Sequence, residues 1–171
     1  DLVGARVAST MPTVGIFAGH PRNVGICGQS SSPVVAEELY DTDVVIAVGA
    51  SLNSFTTRVG AIFPAAKIVQ CEIDVDRDFK ASSPELGLLG DAGDSVRALV
   101  AEWKRMDVSP VAVNAPAPSW ADARASIMKV DLGHDPARGI DPRDLYAWLD
   151  DELPDDRVVV VDGGRASYPI P

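Results

Sequence analysis

Three apolar runs rich in valine and isoleucine limit what this chain can fold into. They cover residues 43–50 (DVVIAVGA), 66–74 (AKIVQCEID) and 157–164 (RVVVVDGG). The first and third runs are continuous rather than alternating, which is typical of parallel strands that are covered on both faces. Two weaker strand candidates span residues 4–10 and 86–91. The sequence therefore predicts a β-sheet whose strands are mainly buried.

Amphipathic helices alternate with these strands. Residues 31–41 predict a helix in which Ser32 is the N-cap and Pro33 the first helical residue. The helix predicted over 93–106 has an apolar face at helical spacing, formed by Val96, Leu99, Val100 and Trp103. In the helix predicted over 141–153, Asp141 is the cap and Pro142 the first helical residue. Its apolar face is formed by Leu145, Trp148 and Leu149. Alternating strands and helices predict a three-layer, Rossmann-like α/β fold with a parallel sheet.

The composition changes after residue 105. Residues 106–139 are rich in proline and alanine and predict a linker with one short helix near 120–129. We therefore expect residues 1–105 to form one α/β domain. Residues 140–171 are expected to begin another domain.

Composition and charge argue against several classes of protein. The 171 residues include 15 basic and 25 acidic side chains, and a net charge of −10 is unfavourable for nucleic-acid binding. No apolar run approaches the roughly 20 residues that a membrane span requires. The cysteines, Cys27 and Cys71, lie far apart without the spacing of a metal site. We expect a cytoplasmic protein with reduced thiols, no metal site, and no nucleic-acid or membrane partner.

Polar residues and glycines follow three of the predicted strands, at 49–51, 71–74 and 90–91. Ligands of open α/β sheets bind outside the carboxyl ends of the strands. Gly49 would allow a phosphate or an adenine ring to approach the backbone, and Asp74 would accept a hydrogen bond from a ribose hydroxyl. The alternative is that these segments are turns whose polar residues cap helices. No GxGxxG or GxxxxGK[ST] motif supports the nucleotide interpretation.

The remaining candidates do not make a catalytic site. His20 lies in a glycine-rich segment predicted to be an irregular loop, and His134 lies in the linker; neither has a neighbouring carboxylate or second ligand in the sequence. The serines of GQSSSP lack a nucleophile-elbow motif. The carboxylates at 150–152 are predicted to lie on a solvated helix face. The sequence therefore predicts no catalytic residue.

The order of motifs over residues 19–76, together with the Gly90-Asp91 pair that follows, resembles the central domain of thiamine-diphosphate-dependent enzymes of the acetolactate synthase and decarboxylase type. The matching elements are a glycine loop, a strand ending in GASL, a second strand ending in EID, and a GD pair before a helix: Gly25, Gly28, Asp43 to Leu52, Phe63 to Asp74, and Gly90-Asp91. The resemblance continues over residues 134–164, which are similar to the start of the family's pyrophosphate-binding domain.

The resemblance implies a parent enzyme of three α/β domains that uses thiamine diphosphate and Mg²⁺ as a lyase or transferase acting on 2-oxo acids. This chain would be the central domain without its first strand, followed by the opening of the third domain. The catalytic glutamate and the metal-binding GDG motif would lie elsewhere in the parent, so we expect the chain alone to be inactive. The turn at Gly163, Gly164 and Arg165 would approach the cofactor diphosphate only in the full-length enzyme.

The resemblance also bears on the carboxyl ends of the strands. Flavin-dependent members carry an arginine where this chain has Ser51, so the resemblance gives no support to FAD binding. An adenine nucleotide at Gly49, Ser51 and Asp74 stays open, although a scaffold role without bound cofactor is the main expectation. The alternatives are a stand-alone module that binds NAD, FAD or ADP, and a non-catalytic interaction domain.

The expected partners are the remaining domains of the parent and further copies of the chain, in a dimer or tetramer. A sheet without one strand exposes two unpaired strand edges. We therefore expect the chain to dimerise or to pair these edges.

Overall fold

The computed structural model describes residues 1–74, 83–111 and 116–160. Every strand pairing in these ranges is parallel. The strands form a two-stranded sheet, β1-β2, and a three-stranded sheet in the order β3-β4-β5. Their bounds are β1 Val7–Ser9, β2 Asn23–Ile26, β3 Val44–Val48, β4 Lys67–Glu72 and β5 Leu86–Leu89. Parallel sheets flanked by helices confirm the predicted Rossmann-like α/β class.

The helices begin where the sequence places proline or a capping side chain. They are α1 Pro33–Tyr40, α2 Ala92–Arg105, α3 Trp120–Met128 and α4 Pro142–Glu152. Asp91 caps α2, Ser119 and Asp122 form a capping box at α3, and Asp141 caps α4. Ser32 occupies the N-cap position of α1, but its side chain makes no capping hydrogen bond.

One apolar core joins the two sheets. Its buried residues come from β2, α1, β3 and the segment that follows β3: Val24, Val35, Leu39, Ala47, Leu52, Ile62 and Phe63. Ala8 of β1 and Ile68 of β4 pack against this cluster. The Gln70 side chain is fully buried, and its amide group donates a hydrogen bond to the Ala50 carbonyl at 3.1 Å. This polar side chain therefore keeps a hydrogen-bond partner in the core.

β3 is covered less than its continuous apolar sequence predicts. Ala47 is 5% exposed and faces the core, whereas Val44 is 48% and Ile46 39% exposed. Side chains alternate between the two faces of a strand. The described residues therefore cover one face of β3 and leave much of the other open, and the prediction that both faces are buried is wrong for this strand.

The predicted strand at 157–164 does not form over its described part. Residues 157–160 have no regular secondary structure, and Val158 and Val160 are 91% and 90% exposed. A run of valines favours an extended backbone, but a β-strand also needs a neighbouring strand to pair with. None of the described strands pairs with residues 157–160. Residues 161–164 lie outside the described ranges.

β2 is a strand that the sequence interpretation missed. The sequence predicts a glycine-rich irregular loop here, yet Asn23–Ile26 pair with β1, where Ala8 is the partner of Gly25 and Ser9 of Ile26. Val24 is 2% exposed and anchors this strand in the core. Gly25 adopts a φ of 99°, and the register against β1 shifts between Asn23 and Gly25, so β2 departs from the regular alternation of a strand.

Part of the segment after α2 contacts the first half of the chain. α3 packs against α1, and the Ser126 hydroxyl accepts a hydrogen bond from the Val34 backbone at 3.5 Å. Arg124 of α3 donates to the Ala147 carbonyl of α4 at 3.1 Å. Arg143 of α4 donates to the Ile127 carbonyl of α3 at 3.0 Å. These two arginines join α3 and α4 reciprocally.

Candidate functional site

The carboxyl ends of β3, β4 and β5 lie side by side, as parallel pairing requires. The Gly49 amide donates to the Cys71 carbonyl at 2.9 Å, and the Gly90 amide donates to the Glu72 carbonyl at the same distance. The structure therefore brings Gly49, Glu72 and Gly90 together at one edge of the sheet. This edge is where ligands of open α/β sheets bind.

Gly49 provides open space beside the backbone. A Cβ atom added there would have the Ala92 Cβ as its nearest neighbour, at 3.9 Å, which is ordinary van der Waals distance. The backbone φ of 61° is the feature that requires glycine at this position. The space beside Gly49 is therefore open to a ligand, and no close contact with the protein accounts for the glycine.

The polar residues of this edge differ in their hydrogen bonds and in their exposure. The half-buried Ser51 accepts a hydrogen bond from the Asn53 amide group at 2.9 Å. Asp91 accepts from the Asp94 backbone at 3.0 Å and so serves as the cap of α2, as the alternative interpretation predicts. Glu72 is 8% exposed and accepts from the Ile73 backbone at 2.8 Å. Asp74 lies two residues beyond β4 and is exposed.

The loops after β2 and β3 close against each other beside this edge. The Gln29 amide donates to the Phe55 carbonyl at 2.7 Å, and the Cys27 thiol donates to the Thr56 carbonyl at 3.3 Å. Burial raises the pKa of Cys27 to about 11, so the thiol is protonated at neutral pH. A Cβ atom added at Gly28, between these two contacts, would stand 2.4 Å from the Phe55 carbonyl oxygen, so Gly28 allows the two loops to pack against each other.

The Asn53 side chain makes several of the hydrogen bonds that shape the loop after β3. The Asn53 carboxamide oxygen accepts from the backbone amides of Phe55 at 2.9 Å and Thr56 at 3.1 Å. Arg58 and Val59 follow with φ values of 52° and 58°, which non-glycine residues seldom adopt. Asn53, three residues after the predicted strand at 43–50, is the turn signal by which this loop could be recognised from the sequence.

The two histidines act as loop residues in this structure. His20 Nε2 lies 3.2 Å from the Asp1 carboxylate, and its Nδ1 accepts from the Arg22 backbone at 3.1 Å. His134 Nε2 lies 3.1 Å from the Gly139 carbonyl. Because Nδ1 of His20 accepts a hydrogen bond, its Nε2 is the donor toward the Asp1 carboxylate.

The described residues form no cluster of side chains that could hold a metal ion. Across 1–74, 83–111 and 116–160, no three His, Cys, Asp or Glu side chains cluster as metal ligands do. The predicted diphosphate-side residues Gly163, Gly164 and Arg165 lie outside these ranges. Within the same ranges, no helix combines the length and the apolar composition needed to cross a membrane.

Comparison with known proteins identifies the fold more specifically. The family model of the thiamine pyrophosphate enzyme central domain matches residues 1–99, which include both sheets and most of α2. No curated protein matches the sequence. Because the family model covers more than half of the chain, the chain belongs to the family of thiamine pyrophosphate enzyme central domains.

Proposed function

We propose that this chain is the scaffold domain of a thiamine-diphosphate- and Mg²⁺-dependent enzyme that breaks or forms a carbon–carbon bond of 2-oxo acids. The observation that supports the proposal is the family match over residues 1–99. In this proposal the parent is a cytoplasmic, acetolactate synthase-like or decarboxylase-like lyase or transferase, and residues 140–171 open its pyrophosphate-binding domain.

The proposed division of labour follows from the described residues. They lack a metal-ligand cluster, and Asp91 already caps a helix. The acid–base groups and the metal ligands are therefore assigned to other domains of the parent. Gly163, Gly164 and Arg165 are proposed to lie on the diphosphate side there, because glycine backbone and a cation suit a phosphate group.

The test uses the full-length parent, stripped of cofactor by dialysis against EDTA. We expect release of CO₂ from a panel of 2-oxo acids only when both thiamine diphosphate and Mg²⁺ are restored. An aldehyde product would indicate a decarboxylase, and a 2-hydroxy-2-methyl-3-oxo acid would indicate a carboligating transferase. A full-length parent that binds neither cofactor in calorimetry would contradict the proposal.

The 171-residue chain supplies a second test. We expect calorimetry to detect no heat of binding when thiamine diphosphate and Mg²⁺ are titrated into it. Tight binding would mean that the site lies within this chain, and the proposed division between domains would then be wrong.

A second candidate function is binding of an adenine nucleotide at the edge formed by Gly49, Ser51 and Asp74. The open space beside Gly49 favours it. Titration with NAD, FAD and ADP tests it, and we expect any heat to be lost in Asp74→Asn but kept in Asp43→Asn, which lies before the opposite end of β3. The absence of heat with all three nucleotides would exclude this function.

A further inference from the structure

A groove lies between the second half of α1 and the loop after β3. It shares no lining residue with the carboxyl edge of the sheet, and its volume of about 440 Å³ is within the range of small-molecule sites. The residues that line it come from two short stretches of chain: Ala36, Glu37, Tyr40 and Asp41 on the α1 side, and Arg58, Ala61 and Ile62 on the loop side. All of them lie inside the range that the family model matches.

Arg58 supplies a positive charge to this groove. It is half-buried, and no carboxylate of the described chain forms an ion pair with it, whereas the arginines of α3 and α4 do pair with carboxylates. Its backbone lies in the left-handed region, and the next amide, that of Val59, is held by donating to the Ser54 carbonyl at 2.8 Å. Strained backbone of this kind is concentrated at sites that bind ligands.

The α1 side of the groove is negative. Glu37 and Asp41 are both exposed, and because they are four residues apart they lie on the same face of the helix. Asp41 is also the C-cap of α1, where the helix dipole adds partial negative charge, and the last turn contains no basic residue to offset it. Neither carboxylate forms an ion pair with a cation of the described chain. This side of the groove therefore favours a bound cation.

Apolar surface lies between the two charged sides. Ala36 and Ala61 contribute small side chains, and Tyr40, which is 58% exposed, contributes an aromatic ring. Ile62 is 1% exposed, so the groove ends on the packed core. A ligand that fits this surface combines an apolar body with charges of both signs.

We propose that the groove binds the zwitterion of an amino acid with an apolar side chain. Arg58 receives the carboxylate, whereas Glu37 and Asp41 receive the ammonium group. A ligand that carries only one charge would leave the opposite side of the groove without a counter-ion and would meet a group of its own sign. This inference does not depend on the proposed function, because the groove lies apart from the carboxyl edge of the sheet and involves no thiamine diphosphate.

Calorimetry on the full-length parent tests the inference, with no thiamine diphosphate added. The probes are leucine and phenylalanine, together with two analogues of leucine that each lack one charge, 4-methylpentanoate and 3-methylbutylamine. We expect saturable binding of at least one amino acid, and binding of the leucine analogues that is roughly tenfold or more weaker than that of leucine. Absence of heat with both amino acids would overturn the proposal. An analogue that binds as tightly as leucine would also overturn it.

A variant of the positive side tests the carboxylate contact. Arg58→Gln keeps most of the side-chain length and removes the charge, so we expect the dissociation constant of leucine to rise by roughly tenfold or more. The matched control is Arg97→Gln, which removes an exposed arginine of α2 and should leave binding unchanged. Circular dichroism shows whether both variants fold. Equal affinities of Arg58→Gln and the unchanged protein would refute the site.

A variant of the negative side tests the ammonium contact separately. In the double variant Glu37→Gln and Asp41→Asn, leucine should lose most of its advantage over 4-methylpentanoate, because only leucine carries the ammonium group. Glu102→Gln, at an exposed position of α2, is the control and should preserve that advantage. If the double variant weakened both ligands equally, or neither of them, the assignment of the ammonium group to these carboxylates would be wrong.

Discussion

The backbone at Gly28 lies so close to Phe55 that a Cβ atom added at Gly28 would stand 2.4 Å from the Phe55 carbonyl oxygen. Gly28 also has a φ of 116°, a backbone conformation that residues other than glycine rarely adopt. The contact fixes the loop after β2 against the loop after β3, beside the carboxyl edge of the sheet.

Gly28→Ala should therefore lower the free energy of unfolding by about 3 kcal/mol or more, because the added methyl group meets a backbone atom that has little room to move. The control is Gly60→Ala, where φ is 83° but no atom lies within 4 Å, and we expect a loss of only about 1–2 kcal/mol there. Urea unfolding measures both. Equal losses in the two variants would show that the contact with Phe55 adds nothing.

Asp91→Ala tests whether this residue serves the fold. Asp91 accepts the Asp94 amide at 3.0 Å, so its removal leaves an N-terminal donor of α2 without its cap and should cost about 1 kcal/mol. Asp91→Asn keeps an accepting oxygen and should unfold at nearly the same denaturant concentration as the unchanged chain. If the alanine variant were as stable as the asparagine variant, the capping role would be wrong.

Acid should weaken the junction between α3 and α4. The Arg143 guanidinium donates to Asp141 at 2.6 Å and, together with the Arg143 backbone amide, lowers the pKa of Asp141 from its usual 3.8 to about 2. A carboxylate with a lower pKa in the folded state than in the unfolded state stabilises the fold above the unfolded value, and this contribution is lost as the pH falls from about 4 toward about 2.

Thermal unfolding between these pH values should therefore show a steeper loss of stability in the unchanged chain than in Asp141→Asn, which has no carboxylate to protonate there. Asp156→Asn, at an exposed position after α4, should follow the unchanged chain. A pH profile of Asp141→Asn that coincides with that of the unchanged chain would contradict the lowered pKa.

The two thiols should react slowly with Ellman's reagent in the folded chain. Both cysteines are free, and burial raises the pKa of Cys27 to about 11 and also raises that of Cys71. At pH 8 we expect the Cys27 thiolate to be roughly a hundredfold scarcer than in the unfolded chain, with a matching decrease in rate. Cys27→Ser and Cys71→Ser assign the rates. A rate that denaturant does not increase would contradict the burial of these thiols.

The sequence predicted most elements correctly because each carries a local signal. Pro33 and Asp141 mark the first turns of α1 and α4, and both helices begin there. The strands predicted over 43–50 and 66–74 form over Val44–Val48 and Lys67–Glu72 and pair in register. The short helix within the predicted linker forms at Trp120–Met128, where Ser119 and Asp122 make a capping box.

The candidate site could be predicted only in part. The sequence placed Gly49 and Gly90 at strand ends, and parallel pairing does bring them to one edge. It did not reveal that Gly28 is held by Phe55, because that contact joins two loops that are distant in the sequence. The ordering of the loop after β3 by Asn53 also depends on backbone geometry that composition does not specify.

The sequence by itself determined the α/β class, the helix starts and the family, because periodicity, capping residues and motif order are local properties of the chain. Tertiary structure alone decided which strands pair. β2 became a strand because β1 lies beside it and Val24 fits the core, despite a glycine that interrupts its pattern. The valines at 158–160 have the stronger local preference and yet form no strand within the described chain, because a β-strand is stabilised by hydrogen bonds to a neighbour that the segment itself cannot supply.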